Sequence, residues 1–291
     1  MRRLRATASE LESRAKLHES GKGDAVRRIA VAAVVVVFAV AVAAPAAAGE
    51  PVWGKDLVAG KPFPLPFGVS AVYFSQEQEY VIDRLVIGVP GFPAIPAGQL
   101  DIENEIDEVN GKLDAWLLPW LNVFALAGQL DGTTEVDFSS VQVLLGLPFR
   151  SIEIDYDGEV YGVGAVFAGG SERLFGSLTA IATQTSLSGD FESDAEAFVA
   201  MPRFGYYNRH GAVYVGAMYQ QAEESHAGTI ALALFPGLPA FPVPFEVDLS
   251  QKDDWNWLAG GTLAFGERWT LQVEGGFGDR EHVDVEIGFR F

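Results

Sequence analysis

From residue 67 to the C-terminus, hydrophobic positions recur at every second residue, and no stretch of useful length repeats with a helical period. The chain ends on "EHVDVEIGFRF", where Val283, Val285, Ile287, Phe289 and Phe291 alternate with His282, Asp284, Glu286, Gly288 and Arg290. Trp255, Trp257, Ala259, Gly261, Leu263 and Phe265 form the same kind of apolar row, as do Leu271, Val273, Gly275 and Phe277, and Phe67, Val69, Ala71 and Tyr73. One face is apolar and the other mixes polar and small residues. An all-β fold follows, and two architectures fit it: a soluble sandwich, or a closed transmembrane barrel with lipid outside and a polar interior.

Loop asymmetry separates the two, because a membrane barrel has short turns at one end and long loops at the other. Short turns fall at 118–120, 169–172, 208–211 and 266–268. They divide the chain into ten antiparallel, up-and-down strands, near 67–85, 99–117, 121–131, 157–168, 173–187, 194–207, 212–224, 252–265, 269–277 and 281–291. The opposite end collects the long connections, 86–98, 132–156, 188–193 and 225–251, with one tight turn at 278–280. If the last strand finishes in the periplasm, the even count places both termini there and the long loops outside the cell.

Charge sharpens the choice. The chain carries 20 Lys/Arg and 39 Asp/Glu. Residues 1–49 hold eight of the basic and four of the acidic residues, so the remainder has 12 basic and 35 acidic, a net of −23. Of those 35 acids, 27 lie at the long-loop end, a polarisation expected of a membrane barrel rather than a sandwich. Nucleic acid is excluded as a partner, since binding phosphates needs the opposite sign. There is no cysteine, hence no disulfide and no thiolate metal site.

Residues 29–44, IAVAAVVVVFAVAVAA, follow Arg27 and Arg28 and precede the small-residue segment PAAAGE. The run is short for a transmembrane helix and reads as a secretory signal peptide within residues 1–48, behind a long basic leader. Residues 49–66 form an N-terminal extension in the periplasm, and 67–291 the barrel.

Together, the signal peptide, the alternating strands, the girdle candidates Tyr73, Trp53, Trp120 and Trp269, and the terminal Phe291 resemble a Gram-negative outer-membrane β-barrel. The resemblance covers residues 67–291 and implies outer-membrane lipid and lipopolysaccharide as surroundings. It also implies that the final strand, with Phe289 and Phe291, is the signal read by the barrel-assembly machinery. It implies an architecture and no activity.

Strand parity places Lys112, Asp114, Arg203, Glu274, Asp284, Glu286 and Arg290 on the lumen side, with Trp116, Tyr214 and Met218. Ten strands lie near the limit at which side chains fill a barrel, so these charges are expected to pair with one another, with a narrow solute path as the alternative. Three external loops are apolar and proline-rich, "VIGVPGFPAIPAG", "VQVLLGLPF" and "IALALFPGLPAFPVPF". Phe92, Pro93, Leu147, Pro148, Leu238, Pro239 and Phe241 carry that character, which suits a lid, a lipid contact, an adhesive surface or capture of an apolar solute. Proline also argues against a central strand there.

Ten-strand outer-membrane barrels include the omptin proteases, so rim chemistry is weighed. His226 beside Glu223 and Glu224, and His282 beside Asp279 and Glu281, could act as general bases. No paired motif makes the match specific, no spacing signature marks a metal site, and no cofactor motif is present. The reading is a non-enzymatic barrel that binds or slowly passes small amphipathic or hydrophobic solutes through an acidic mouth. Its alternatives are an adhesin, a purely structural barrel and an omptin-like hydrolase.

Overall fold

The computed structural model describes residues 49–59, 63–88, 100–140, 150–189, 191–208, 210–232 and 241–291. The segment read as a signal peptide and the prolines at 93, 148 and 239 lie outside the described residues. Eleven strands form one antiparallel sheet: β1 (Phe67–Ile87), β2 (Asp101–Leu118), β3 (Leu121–Asp137), β4 (Ser151–Gly170), β5 (Leu174–Gly189), β6 (Phe191–Asn208), β7 (Gly211–Leu232), β8 (Phe241–Gln251), β9 (Trp255–Phe265), β10 (Trp269–Phe277) and β11 (Arg280–Arg290). The ring runs β1 to β7 in sequence, steps to β9, β10 and β11, and closes when Gly68–Gln78 of β1 pairs with Arg280–Arg290 of β11. It is a closed barrel of ten strands, and its terminal strand has no free edge.

The eleventh strand, β8, makes the barrel two-tiered. β7 pairs with β9 along Gly211–Tyr219 but with β8 along Glu224–Leu232. β1 likewise pairs with β11 below and with β8 along Tyr80–Ile87. Near the short-turn end the wall is therefore ten strands around; beyond β9–β11 it continues as eight, with β8 alone completing the circle. Fewer strands mean a narrower tube, and eight leave an interior that side chains fill.

The two tiers face different solvents, and the sequence shows it. On the lower tier large apolar side chains point outward and are exposed: Phe67 and Tyr73 on β1, Leu113 on β2, Val163 and Phe167 on β4, Val213 and Val215 on β7, Trp257 and Leu263 on β9. Such rows span roughly nine residues, which at ~3.4 Å rise and ~40° tilt is about 23 Å, close to the apolar band of a membrane barrel. Exposed aromatics bound the belt, Phe67, Trp120, Phe167 and Phe265 near the short turns, and Tyr73, Tyr161, Trp255 and Trp257 at the other edge. Tyr73 donates to Asp107 (2.6 Å), and Tyr161 to Glu159 (2.8 Å), where the belt ends.

Above that level parity continues but polarity inverts. In "DIENEIDE" of β2, Asp101, Glu103 and Glu105 are exposed whereas Ile102 is buried. In "SIEIDYD" of β4, Glu153, Asp155 and Asp157 face out and Tyr156 faces in. Apolar-in and acid-out is the pattern of a sheet in water. The register sets carboxylates directly opposite one another in rows, Glu79–Glu103–Glu135–Glu153 and Asp107–Asp131–Asp157.

These findings correct the sequence reading at the loop end. Residues 132–137, 151–156, 225–232 and 241–251, expected as loop, are strand. The signal was missed because an acidic outer face breaks the apolar-out pattern used to find strands. Pro242 and Pro244 enter β8 beyond Phe245, the last of its residues paired with β1, and the Pro244 carbonyl still accepts from the Gly88 N–H (2.8 Å). The acids expected to ring the mouth stand on the outer wall of the upper tier.

Candidate functional site

Inside the lower tier, charged side chains tie distant strands together. Arg203 on β6 reaches across β7 and β9 to Glu274 on β10, donating from Nε (2.6 Å) and Nη2 (2.8 Å) to the two carboxylate oxygens. Its Nη1 donates to Thr179 Oγ1 (2.9 Å), and the guanidinium lies over the Tyr214 ring. Lys112 on β2 pairs with Glu286 on β11, across β1. One turn nearer the termini Arg290 pairs with Asp114 (2.9 Å), which also accepts from Asn122 (2.6 Å), while Arg290 donates to the Leu65 carbonyl (2.7 Å).

Glycines make room for this polar layer. A Cβ at Gly68 would stand 1.9 Å from the Asp114 carboxylate, and one at Gly276 would stand 2.0 Å from the His282 ring. Both positions need a bare backbone because the side chain opposite occupies their space.

A cavity of about 770 Å³ lies beside the ion pairs. It extends from Trp116, Asn208 and Gly211 near the short turns to Tyr80 and Leu187 at the base of the upper tier. Its two sides differ. Strands β3 to β6 present mainly Leu126, Leu130, Val160, Ile181 and Val199, with the hydroxyls of Thr179, Thr183 and Thr185 between them, whereas β10, β11 and β2 present Glu274, Asp284, Glu286, Glu108 and Lys112. Above it, Tyr80, Ile82, Leu100, Ile102, Phe138 and Leu249 pack as a buried apolar cluster. Val247 of β8 touches both that cluster and the one formed by Leu130, Tyr156, Val160 and Leu187. The narrowing from ten strands to eight thus coincides with an apolar plug.

All seven residues assigned to the lumen network lie on the inward face, six of them in three ion pairs and Asp284 unpaired among the described residues. His282, expected at the external rim beside Asp279 and Glu281, is instead inside the barrel: it is 3% exposed, lies against the Phe74 ring (centroids 5.7 Å, tilted by 32°) and has Nε2 4.0 Å from Glu274 Oε1. The cause is parity, since an even residue of β11 faces the lumen while Glu281 faces out. Asp279 belongs to the β10–β11 turn, and the backbone of His226 pairs with Val247 in the upper tier. The expected rim grouping of His282 with Asp279 and Glu281 therefore does not form. Among the described residues, no cluster of His and carboxylates is arranged to hold a metal ion.

Of the loop residues, Phe92, Pro93, Leu147, Pro148, Leu238 and Pro239 lie outside the described residues, and Phe241 opens β8. Phe289 is 2% exposed, covered by Trp269 (5.0 Å) and Phe291 (6.4 Å) with Arg268 over its ring (5.9 Å). The N-terminal segment packs at the short-turn end, where Val52 and Trp53 donate to the carbonyls of Trp116 and Leu117 (2.9 and 2.8 Å) and Phe63 meets the Trp116 ring edge-on.

A closed ring with an exposed apolar belt, aromatic borders and a charged interior decides the class. The fold is that of an outer-membrane β-barrel. Solved structures of similar outline include the transport unit of the autotransporter AIDA-I from Escherichia coli (10% identity, TM-score 0.41, covering 77% of this chain and 89% of that one). The outer membrane protease OmpT from Escherichia coli (7%, 0.39, 78% and 97%) and the Pseudomonas putida toluene transporter TodX (9%, 0.33, 83% and 93%) are others. No protein-family model matches the chain, and no curated protein sequence matches it. Three different activities on one outline assign none of them to this barrel.

Proposed function

We propose that this outer-membrane barrel takes small amphipathic or hydrophobic solutes into its lumen and passes them slowly, with its short turns and both termini in the periplasm. One observation carries the reading: a cavity of about 770 Å³ with an apolar wall set against a charged one. That volume lies in the range of small-molecule sites, which are mostly apolar with a few placed polar groups. A barrel that served only as a scaffold would gain stability by filling this space, because voids forfeit dispersion contacts. Passage is slow in this reading because the apolar plug inside the eight-strand tier must part first.

The test is binding of 2-phenylethanol to the barrel in non-ionic detergent, followed through Trp116, whose ring borders the cavity. Saturable binding that disappears when the apolar wall is filled by Ala197→Trp supports the proposal. No binding, or binding indifferent to that substitution, overturns it. Planar-bilayer conductance then separates binding from passage.

A further inference from the structure

The charged wall of the cavity is not fully paired: two of its carboxylates have no cation among the described residues, and beside them His282, both ring nitrogens without a hydrogen-bond partner, lies against Phe74. Lys112–Glu286, Arg203–Glu274 and Arg290–Asp114 account for three carboxylates. Among the described residues, Asp284 and Glu108 have no ion-pair partner; Glu108 accepts only from Asn110. Arg280, at the upper end of β11, is held by neutral acceptors, Gln78 (2.9 Å), Gln251 (3.2 Å) and the Asp253 carbonyl (3.2 Å).

The register brings the unpaired groups together. Phe74 of β1 stands directly between Asp284 on β11 and Glu108 on β2, all three facing the cavity. Next along the same wall are Gln76, 2% exposed, and Asn110, 3% exposed, whose amide oxygens Oε1 and Oδ1 are buried with no donor. Buried acceptors without donors cost about 1–3 kcal/mol each unless something donates to them. Two carboxylates, two orphan carbonyl oxygens and an aromatic ring form a surface that asks for a positively charged donor.

We propose that this wall binds the ammonium group of a protonated organic amine, whose apolar body lies against Leu130, Val160 and Val199. The inference rests on the lumen being a solute site and names the class of solute: cationic amphiphiles ahead of neutral or anionic ones. An ammonium centre placed over Phe74 would donate toward Asp284 and Glu108 on either side, and the orphan oxygens of Gln76 and Asn110 lie along the same wall. A bare metal ion is not favoured here, since among the described residues no three His or carboxylate side chains are grouped to hold one.

The experiment compares three probes of one shape, 2-phenylethylammonium, 2-phenylethanol and 3-phenylpropionate, titrated into the detergent-solubilised barrel near neutral pH. The ammonium is expected to bind at least about tenfold tighter than the alcohol, with the propionate weakest, as two charge-assisted hydrogen bonds imply. Asp284→Asn with Glu108→Gln should abolish that preference, bringing ammonium binding down to about the level of the alcohol. Phe74→Leu, which keeps volume and both acids, should weaken the ammonium alone by about threefold. If the alcohol binds as tightly as the ammonium, or the acid substitutions change nothing, the ammonium site is overturned while the lumen reading stands. If none of the probes binds, both fall. Should the double variant fail to fold, as judged by its migration without heating in SDS, the Phe74→Leu result decides.

Discussion

Replacing Glu274 by Ala tests whether the lumen charges act as struts. Glu274 is 2% exposed and Arg203 11% exposed at the side chain, and the pair joins β6 to β10 across the barrel wall. The substitution removes two charge-assisted hydrogen bonds, each worth about 1.5–3 kcal/mol, and leaves a buried guanidinium with Thr179 and the Tyr214 face. Breaking one partner of a buried pair costs about 3–5 kcal/mol. Since Arg203 borders a cavity that water can enter, the lower end applies, about 3 kcal/mol. Removing both charges in Arg203→Met/Glu274→Leu should return the barrel to within about 1 kcal/mol of the parent, because no orphan charge remains. Urea unfolding in lipid vesicles, followed by tryptophan fluorescence, measures all three proteins. A loss below about 1 kcal/mol for Glu274→Ala, or a double variant worse than the single, would refute the strut argument.

Other outcomes follow from the same geometry. Phe138→Ala empties a buried position in the upper apolar cluster and should cost about 3 kcal/mol in the same unfolding assay. Phe289→Ala removes the ring between Trp269 and Phe291 and should cost a similar ~3 kcal/mol, with slower membrane assembly in cells than the parent shows. In the acidic upper tier, contact with the Glu77 carboxyl holds the Glu103 pKa above the ordinary glutamate value. The folded barrel therefore binds this proton more readily than the unfolded chain. That stability is complete below the ordinary value and lost as the pH rises through the raised one. Glu103→Gln should accordingly raise the thermal midpoint at pH 7–8, have no effect near pH 4, and show a smaller gain in high salt, where like charges are screened.

The residues alone decided the membrane class and the inward face of the lower tier. Alternation has a period of two, so once Phe291 and Trp257 are assigned to lipid, the facing of Asp284, Glu286 and Arg290 follows without coordinates. Short turns marked the strand ends for the same local reason. The upper tier was hidden because solvent changes along a single strand: the apolar face of β2 moves from Leu113, outward, to Ile102, inward, and a reader seeking one sign of alternation stops at the change. Partners distant in sequence were not legible at all. Arg203 and Glu274 are 71 residues apart, and nothing local says which of several inward acids an inward arginine will meet. Likewise the replacement of three strands by β8, the plug it completes, and the unpaired acceptors around Phe74 depend on how many strands close the ring and in what register. Sequence thus determined which side of each lower strand meets lipid, because that is a property of neighbouring residues. Tertiary structure alone decided which charges pair, which stay unpaired and where the tube narrows, because those depend on closing the sheet upon itself.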